Sequence, residues 1–246
     1  MVTTLYLVRH GSADAGGVRR YHGSVDVPLL EEGVEQMKGA CGLIIQYLGK
    51  PASARSQAYS KDVNDREETN PEVGSGEAKS HGLTAVYCSD LQRAVRSAEI
   101  IAGPHGLNPI RMPALRERNF GIWEGMTFNE IQDKYPKEFD TWLGNPLHYN
   151  PVGGESTLDV RLRVIHATQN IVGSHPGENV AVIAHGGVNR IILCEIMGMP
   201  LGNMFRIEQD YGAVNIIEFW GTHPVVKLLN GRDCVRSSSS KEPKGL

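Results

Sequence analysis

Two histidines stand directly after apolar segments of the chain, at points where strands would end. His10 follows residues 5–8 and has Arg9 before it, and His185 follows residues 179–184. Arginine and histidine side chains stabilise the charge that spreads over the equatorial oxygens of a transferring phosphoryl group. A neutral imidazole can also attack phosphorus, and neighbouring arginines lower its pKa and keep it unprotonated. These residue types point to phosphoryl transfer, provided that the fold brings them together.

Two further segments could add polar groups to the same site. They are Ser89-Asp90 and, one helical turn later, Arg93, after residues 85–88, and Arg116-Glu117-Arg118, after residues 109–112. A leaving alkoxide needs a proton, which a carboxylic acid such as Glu117 could donate and later take back from the attacking water. The ordinary alternatives are a solvated Arg93 and a surface ion pair between Glu117 and one of its arginine neighbours.

The apolar pattern predicts strands that alternate with helices. Strands are expected at residues 5–8, 85–88, 109–112, 179–184, 213–219 and 225–229, and helices at 30–48, 91–102, 129–135, 136–143, 156–172 and 188–197. Such alternation is typical of βαβ units, so we expect an α/β fold, a three-layer α/β/α sandwich with a mainly parallel sheet. Ligands of such sheets bind outside the carboxyl ends of the strands, which is where the candidate residues fall.

Composition limits the domain count and the classes of partner. A chain of 246 residues that is 40% hydrophobic can build one sizeable core, and a single domain is expected over residues 1–231. Residues 51–81 and 232–246 are polar and are expected to be a mobile insertion and a disordered tail. The insertion joins a helix to a strand, so it should lie on the face away from His10, a lid being the alternative.

The charge balance gives no sign of nucleic-acid or membrane binding. The formal net charge is −3, and no apolar run reaches the length that a membrane span requires. The N-terminus lacks the basic region of a signal peptide, so a cytoplasmic location is expected. The four cysteines are far apart and show neither a disulfide framework nor a zinc spacing, which predicts buried free thiols.

Six ordered motifs resemble the histidine phosphatase superfamily, which has the phosphoglycerate-mutase-like fold. They are Leu7-Val-Arg-His-Gly11, Gly23-Ser-Val-Asp26 with Gly33, Ser89-Asp-Leu-Gln-Arg93, Leu115-Arg-Glu117 continuing to Gly125, Gly153-Gly-Glu-Ser156 and Ala184-His185-Gly-Gly187. The resemblance implies that His10 is the phosphorylated nucleophile, that Arg9, Arg93 and His185 hold the phosphate, and that Glu117 is the proton donor.

The same resemblance implies a small-molecule phosphate ester as the partner, with no metal and no cofactor. It adds Arg20, Gly23 and Gly186 as substrate-binding residues, and it leaves a homodimer open. This chain departs from the family pattern at Gly16, where an asparagine that holds a phosphate oxygen is common. That departure puts the rigidity of the phosphate pocket in doubt more than the activity.

Hydrolysis is favoured over mutase chemistry, because Phe120 and Phe128 stand where family mutases have tyrosine and lysine, and residues 144–151 contain no arginine. A phosphoglycerate mutase and a non-catalytic phosphate-binding protein remain the alternatives. Trp142, Pro146 and residues 153–156 and 196–200 look like those of α-ribazole phosphatases, which makes α-ribazole 5'-phosphate the expected substrate. Ordinary helix caps and turns are the competing interpretation of these residues.

Overall fold

The computed structural model describes residues 1–13, 20–50 and 82–232. The predicted insertion at 51–81, Gly16 and residues 233–246 of the predicted tail lie outside this part of the chain. The strands are β1 (Val2–Arg9), β2 (Ala85–Cys88), β3 (Ile110–Arg111), β4 (Asn179–Ala184), β5 (Val214–Trp220) and β6 (His223–Gly231). The helices are α1 (Glu31–Leu48), α2 (Gln92–Ala102), α3 (Phe128–Lys134), α4 (Pro136–Gly144), α5 (Thr157–Ser174) and α6 (Gly186–Ile196).

The strands form one mixed sheet in the order β3-β2-β4-β1-β5-β6. The pairs β1 with β4, β2 with β4 and β2 with β3 are parallel. The last two strands differ, since β5 runs antiparallel to both β1 and β6. The expectation of a mainly parallel sheet therefore holds for the four strands whose carboxyl ends carry the candidate residues.

Helices cover both faces of the sheet because alternate side chains of the central strands point in opposite directions. On β1, Leu5 and Leu7 pack in the cluster that contains the apolar faces of α5 and α6. Tyr6 and Val8 pack in the cluster that contains the apolar faces of α1 and α2. This is the predicted three-layer sandwich.

The largest difference from the predicted elements that bears on the site is the start of α6. The helix begins at Gly186 rather than at the expected residue 188, because the two glycines form its first turn. His185 is the N-cap residue, so the amino end of α6 lies directly after the carboxyl end of β4. The glycines therefore place backbone N–H groups of a helix terminus next to the two histidines.

Three of the four cysteines behave as predicted. Cys41, Cys88 and Cys194 are buried free thiols, and burial raises the pKa of Cys88 to about 12. Cys234 lies outside the described residues. Among the described residues, no helix has both the length and the apolar character that crossing a membrane requires.

Candidate active site

The sheet register brings the two predicted histidines together. Arg9, the last residue of β1, is paired with Ala184, the last residue of β4. The backbone N–H of His10 then donates to the carbonyl oxygen of Ala184 at 3.0 Å. The His10 and His185 rings lie 4.9 Å apart between centroids, and both residues are buried.

His10 has one ring nitrogen committed to the backbone. Its Nδ1 lies 2.7 Å from the carbonyl oxygen of Gly11. Because a carbonyl oxygen can only accept, Nδ1 carries the proton of the neutral ring and Nε2 keeps a lone pair. Burial, followed by the charges of Arg93 and Arg9, holds the pKa of His10 well below its usual value. The ring is therefore neutral at neutral pH, with a nucleophilic nitrogen free of a proton.

Glycines allow α1 to pack directly against the backbone after His10. A Cβ atom on Gly11 would collide with the backbone of Gly33, and one on Gly33 would collide with the carbonyl oxygen of Ser12. The Gly11 N–H donates to the hydroxyl oxygen of Ser97 on α2 at 3.2 Å. These contacts fix the direction in which His10 leaves the sheet, and they explain why two glycines from separate motifs are needed.

Backbone carbonyls hold the two arginines beside the histidines. Arg9 Nη1 donates to the carbonyl oxygen of Gln209 at 2.5 Å, and its guanidinium lies 3.8 Å from the ring centroid of Tyr211. Arg93 Nη1 and Nη2 donate to the carbonyl oxygens of Val25 and Gly23, at 2.8 and 2.7 Å. Both guanidinium groups line the cavity that contains His10. Gly23 also lies on the cavity wall, and its carbonyl orients Arg93.

His185 is a buried imidazole whose two ring nitrogens have no hydrogen-bond partner among the described residues. Burial, followed by the charges of Arg93, His10 and Arg9, lowers its pKa well below the usual value. An unsatisfied buried polar group costs free energy, so this side chain fits a ligand that supplies a partner. An oxygen of a phosphate placed between the two histidines would do so.

Glu117 lines the same cavity. Its Oε2 accepts from the backbone N–H of Gly187 and its Oε1 from that of Arg118, both at 2.9 Å. A Cβ atom on Gly187 would lie only 2.6 Å from Oε1, so the glycine is required for this approach. The carboxyl group is thus held at the amino end of α6, in the cavity that the two histidines also line.

The two arginines beside Glu117 do not both join the site, as the sequence analysis had allowed. Arg116 does not join the site, because its guanidinium forms two 2.6 Å hydrogen bonds with the carboxylate of Asp90. Arg118 lines the cavity, and its buried side chain donates to the carbonyl oxygens of Glu155 and Tyr149 and to the hydroxyl oxygen of Thr157. The alternative interpretation of Glu117, a surface ion pair with a neighbouring arginine, is not what the structure shows, since its carboxyl oxygens accept backbone hydrogen bonds. Ser89 is buried and is not among the residues that line the cavity.

The remaining predicted residues occupy the cavity wall. Arg20 lies there, and its Nη1 donates to the carbonyl oxygen of Gly125 at 2.8 Å and to Glu130 at 3.0 Å. Gly186 lines the cavity at the start of α6. Sequence reasoning missed Tyr211 and Arg190, which also line it. Nothing in the sequence around either residue indicates a place in the cavity, since Tyr211 is in a loop and Arg190 falls within a helical pattern.

The cavity has a volume of about 330 Å³ and a mixed lining. Both histidines, Arg9 and Arg93 contribute buried polar groups to it. Aromatic and apolar side chains also line it, namely Tyr21, Phe120, Phe128, Trp142, Met204 and Phe205. Such a lining suits a ligand that combines an anionic group with an apolar group. No group of three or more potential metal ligands occurs within the described ranges.

Comparison with known proteins finds phosphatases among the similar sequences. The profile of the histidine phosphatase superfamily (branch 1) matches residues 5–44 and 73–232. Phosphoserine phosphatase 1 of Hydrogenobacter thermophilus is 27% identical over 226 residues, 92% of this chain and 91% of that protein. The adenosylcobalamin/alpha-ribazole phosphatase of Escherichia coli is 23% identical over 230 residues, 93% of this chain and 96% of that enzyme.

Solved structures show the same architecture. Bacillus stearothermophilus YhfR superposes with a TM-score of 0.71 and 30% identity, over 92% of this chain and 96% of that chain. A mycobacterial glucosyl-3-phosphoglycerate phosphatase superposes with a TM-score of 0.69 and 22% identity, over 93% and 98%. The fold is thus the phosphoglycerate-mutase-like fold of these enzymes. The matched profile spans most of the chain, which belongs to the histidine phosphatase superfamily.

Proposed function

We propose that this protein is a phosphomonoesterase that hydrolyses a small-molecule phosphate ester through a phosphohistidine at His10. The observation that carries the proposal is the hydrogen bond between His10 Nδ1 and the carbonyl oxygen of Gly11. This bond leaves Nε2 as an unprotonated nucleophile in a cavity lined by Arg9, Arg93 and His185. Family membership and phosphatase relatives support the same reaction class.

In the first step, His10 Nε2 attacks phosphorus, the N–P bond forms and the ester P–O bond breaks. Glu117 gives its proton to the departing alcohol oxygen, so a neutral alcohol leaves. Arg9, Arg93 and His185 stabilise the equatorial oxygens of the phosphoryl group during the transfer. In the second step, Glu117 takes a proton from water, the water oxygen attacks phosphorus and the N–P bond breaks. Inorganic phosphate leaves and His10 is neutral again.

The nucleophile is tested by trapping the intermediate. Protein quenched during turnover of labelled substrate should carry acid-labile, base-stable phosphate, and His10→Ala should abolish both the label and the hydrolysis. His166→Ala changes an exposed histidine on α5 and is the matched control. Full hydrolysis by the His10→Ala variant would rule out this mechanism. All steps use side chains of the chain itself, so a chelator should leave turnover unchanged.

The proton donor is tested by varying the leaving group. Glu117→Gln should lower kcat/KM much more for alkyl phosphates than for p-nitrophenyl phosphate, because nitrophenolate leaves without a proton. The ratio of kcat/KM is the proper readout, since it ends with the first irreversible step, the loss of the alcohol. Equal losses on both substrates would assign Glu117 a structural role.

For the substrate, we propose α-ribazole 5'-phosphate, whose aromatic base suits the aromatic side chains that line the cavity. Relatives that act as adenosylcobalamin/alpha-ribazole phosphatases support this choice, and the phosphoserine phosphatase relative makes phosphoserine the competing substrate. The test compares kcat/KM for both compounds within a panel of phosphomonoesters. A higher kcat/KM for phosphoserine would contradict the α-ribazole proposal and leave the phosphatase proposal standing.

The mutase alternative requires polar groups that hold a second charged end of the substrate. Phe120 and Phe128, which stand where family mutases have tyrosine and lysine, line the cavity. We expect no interconversion of 2- and 3-phosphoglycerate at a rate comparable with hydrolysis. A binding protein without activity would leave p-nitrophenyl phosphate untouched, which the same assays detect.

A further inference from the structure

Arg163, on α5, forms hydrogen bonds with the backbone of the segment that carries Glu117. Its Nη1 donates to the carbonyl oxygens of Ala114 at 2.8 Å and Arg116 at 2.7 Å. Its Nη2 donates to the carbonyl oxygen of Glu117 at 3.2 Å, across 46 residues of sequence. One planar side chain therefore holds three carbonyl groups within a four-residue stretch.

Glu155 holds this arginine in place. The two carboxylate oxygens accept from Arg163 Nε and Nη2, both at 2.9 Å, in a bidentate pair. Glu155 Oε2 also accepts from the backbone N–H of Asn119 at 2.9 Å, and the N–H of Glu155 donates to the carbonyl oxygen of Asn119 at 2.9 Å. The pair therefore binds the chain on both sides of Glu117.

These contacts indicate a structural role for the motif Gly153-Gly-Glu-Ser156, which takes no part in the catalytic steps. A Cβ atom on Gly154 would lie 2.7 Å from the carbonyl oxygen of Asn119, so this glycine permits the close approach. Ser156 caps α5 in a capping box with Asp159 and fixes the start of the helix that carries Arg163. The motif thus joins α5 to the segment around Glu117.

We propose that the pair formed by Arg163 and Glu155 positions the carboxyl group of Glu117 for proton transfer. This inference rests on the proposed role of Glu117 as the proton donor. Arg163 and Glu155 are positioning residues, because they hold Glu117 through its backbone, while Gly187 holds its carboxyl group. A lysine cannot replace the arginine, since an ammonium group lacks the planar set of N–H groups that spans several carbonyls and a carboxylate.

The test is the dependence on the leaving group in Arg163→Lys. We expect kcat/KM for an alkyl phosphate to fall by about 10- to 100-fold, as for a displaced catalytic group, with a much smaller loss for p-nitrophenyl phosphate. Arg161→Lys is the control, since Arg161 lies on the same helix in an exposed ion pair with Glu195. It should change kcat/KM for each substrate less than about twofold. Equal losses on both substrates in Arg163→Lys would overturn the inference.

A double-mutant cycle separates this inference from the proposed function. In the Glu117→Gln background, Arg163→Lys should cause little further loss on the alkyl phosphate, because the proton donor is already absent. Losses that multiply would overturn the inference. If Glu117→Gln alone shows the leaving-group dependence and Arg163→Lys does not, the proton donor stands and only the positioning role fails. If Glu117→Gln shows none, both fail.

A second variant covers the case in which Arg163→Lys does not fold. Glu155→Gln keeps the size of the side chain and removes the charge that holds Arg163. We expect the same selective loss on the alkyl phosphate, smaller in size. Circular dichroism and thermal unfolding establish that each variant is folded before its kinetics are compared. A folded Glu155→Gln with unchanged selectivity would contradict the proposal.

Discussion

At the scale of single residues, the site depends on two histidines that stay neutral beside two arginines. Burial is the main cause of the lowered pKa of both His10 and His185, and Arg93 is the next cause for each. The same charges that lower these pKa values attract the phosphate of a substrate. In the proposed mechanism, one arrangement therefore supplies both a nucleophile without a proton and a cationic phosphate site.

Removing the charge of Arg93 should raise both histidine pKa values. We expect Arg93→Gln to move the imidazole titrations of His10 and His185 toward 6.5, measured by NMR of labelled histidine. Arg96→Gln is the matched control, because Arg96 lies on the same helix with an exposed side chain paired with Glu99. Unchanged titrations in Arg93→Gln would show that the charge of Arg93 does not contribute to the lowered pKa values.

A methyl group at Gly187 should displace the carboxyl group of Glu117. Gly187→Ala places Cβ 2.6 Å from Oε1, so the side chain of Glu117 must move. A misplacement of about 1 Å lowers the rate by roughly 100-fold, and we expect a loss of this size in kcat/KM for alkyl phosphates. Gly202→Ala is the control, since nothing lies within 4 Å of its Cβ position. Activity of Gly187→Ala equal to that of the control would disprove this requirement.

At the scale of elements, the site depends on how closely α1 approaches the chain that leaves β1. Gly33 lies in the first turn of α1, where alanine normally stabilises a helix by about 0.5–1 kcal/mol relative to glycine. At this position, a Cβ atom would collide with the backbone oxygen of Ser12 and lie 2.7 Å from Leu29 Cδ1. Tertiary contact and helix propensity therefore act in opposite directions.

The tertiary contact should dominate in Gly33→Ala. We expect the free energy of unfolding to fall by about 1–3 kcal/mol, the usual cost of overpacking. Urea denaturation measures the change, and Gly103→Ala is the control because its Cβ position is open. A gain in stability for Gly33→Ala would show that α1 can shift away from Ser12 without loss.

At the scale of the whole molecule, the neutral buried histidines link folding to pH. Their folded pKa values lie below the value near 6.5 of the unfolded chain. Above pH 6.5 neither state binds these protons. Below it the unfolded chain takes them up while the folded protein does not, so stability is lost as pH falls.

We expect the free energy of unfolding to decrease between pH 6.5 and 5, by up to about 1.4 kcal/mol per pH unit for each of the two histidines. Urea denaturation at several pH values measures this slope. His185→Asn should have a shallower slope than the parent protein, and His166→Asn, at an exposed position, should have the same slope as the parent. A parent slope near zero in this range would contradict the neutral state of both rings.

The sequence by itself determined the elements and the placement of His10, Arg9 and His185. Apolar periodicity marks the buried strands, and parallel strands bring their carboxyl ends to one edge, so residues that follow them must meet. The segments after the second and third strands supplied Arg93 and Glu117 as further candidates, and the family motifs implied their roles. These inferences succeed because they depend on local patterns and on one general rule of sheet geometry.

Only the tertiary structure decided which neighbours complete the site. It placed Arg116 against Asp90, used Arg163 to hold the backbone of Glu117, and brought Tyr211 onto Arg9. It also set β5 antiparallel to β1. These contacts join segments that are far apart in the chain, and they depend on how whole elements dock. The helical pattern around Arg163 places its side chain on a surface of α5, but it carries no information about which backbone lies opposite.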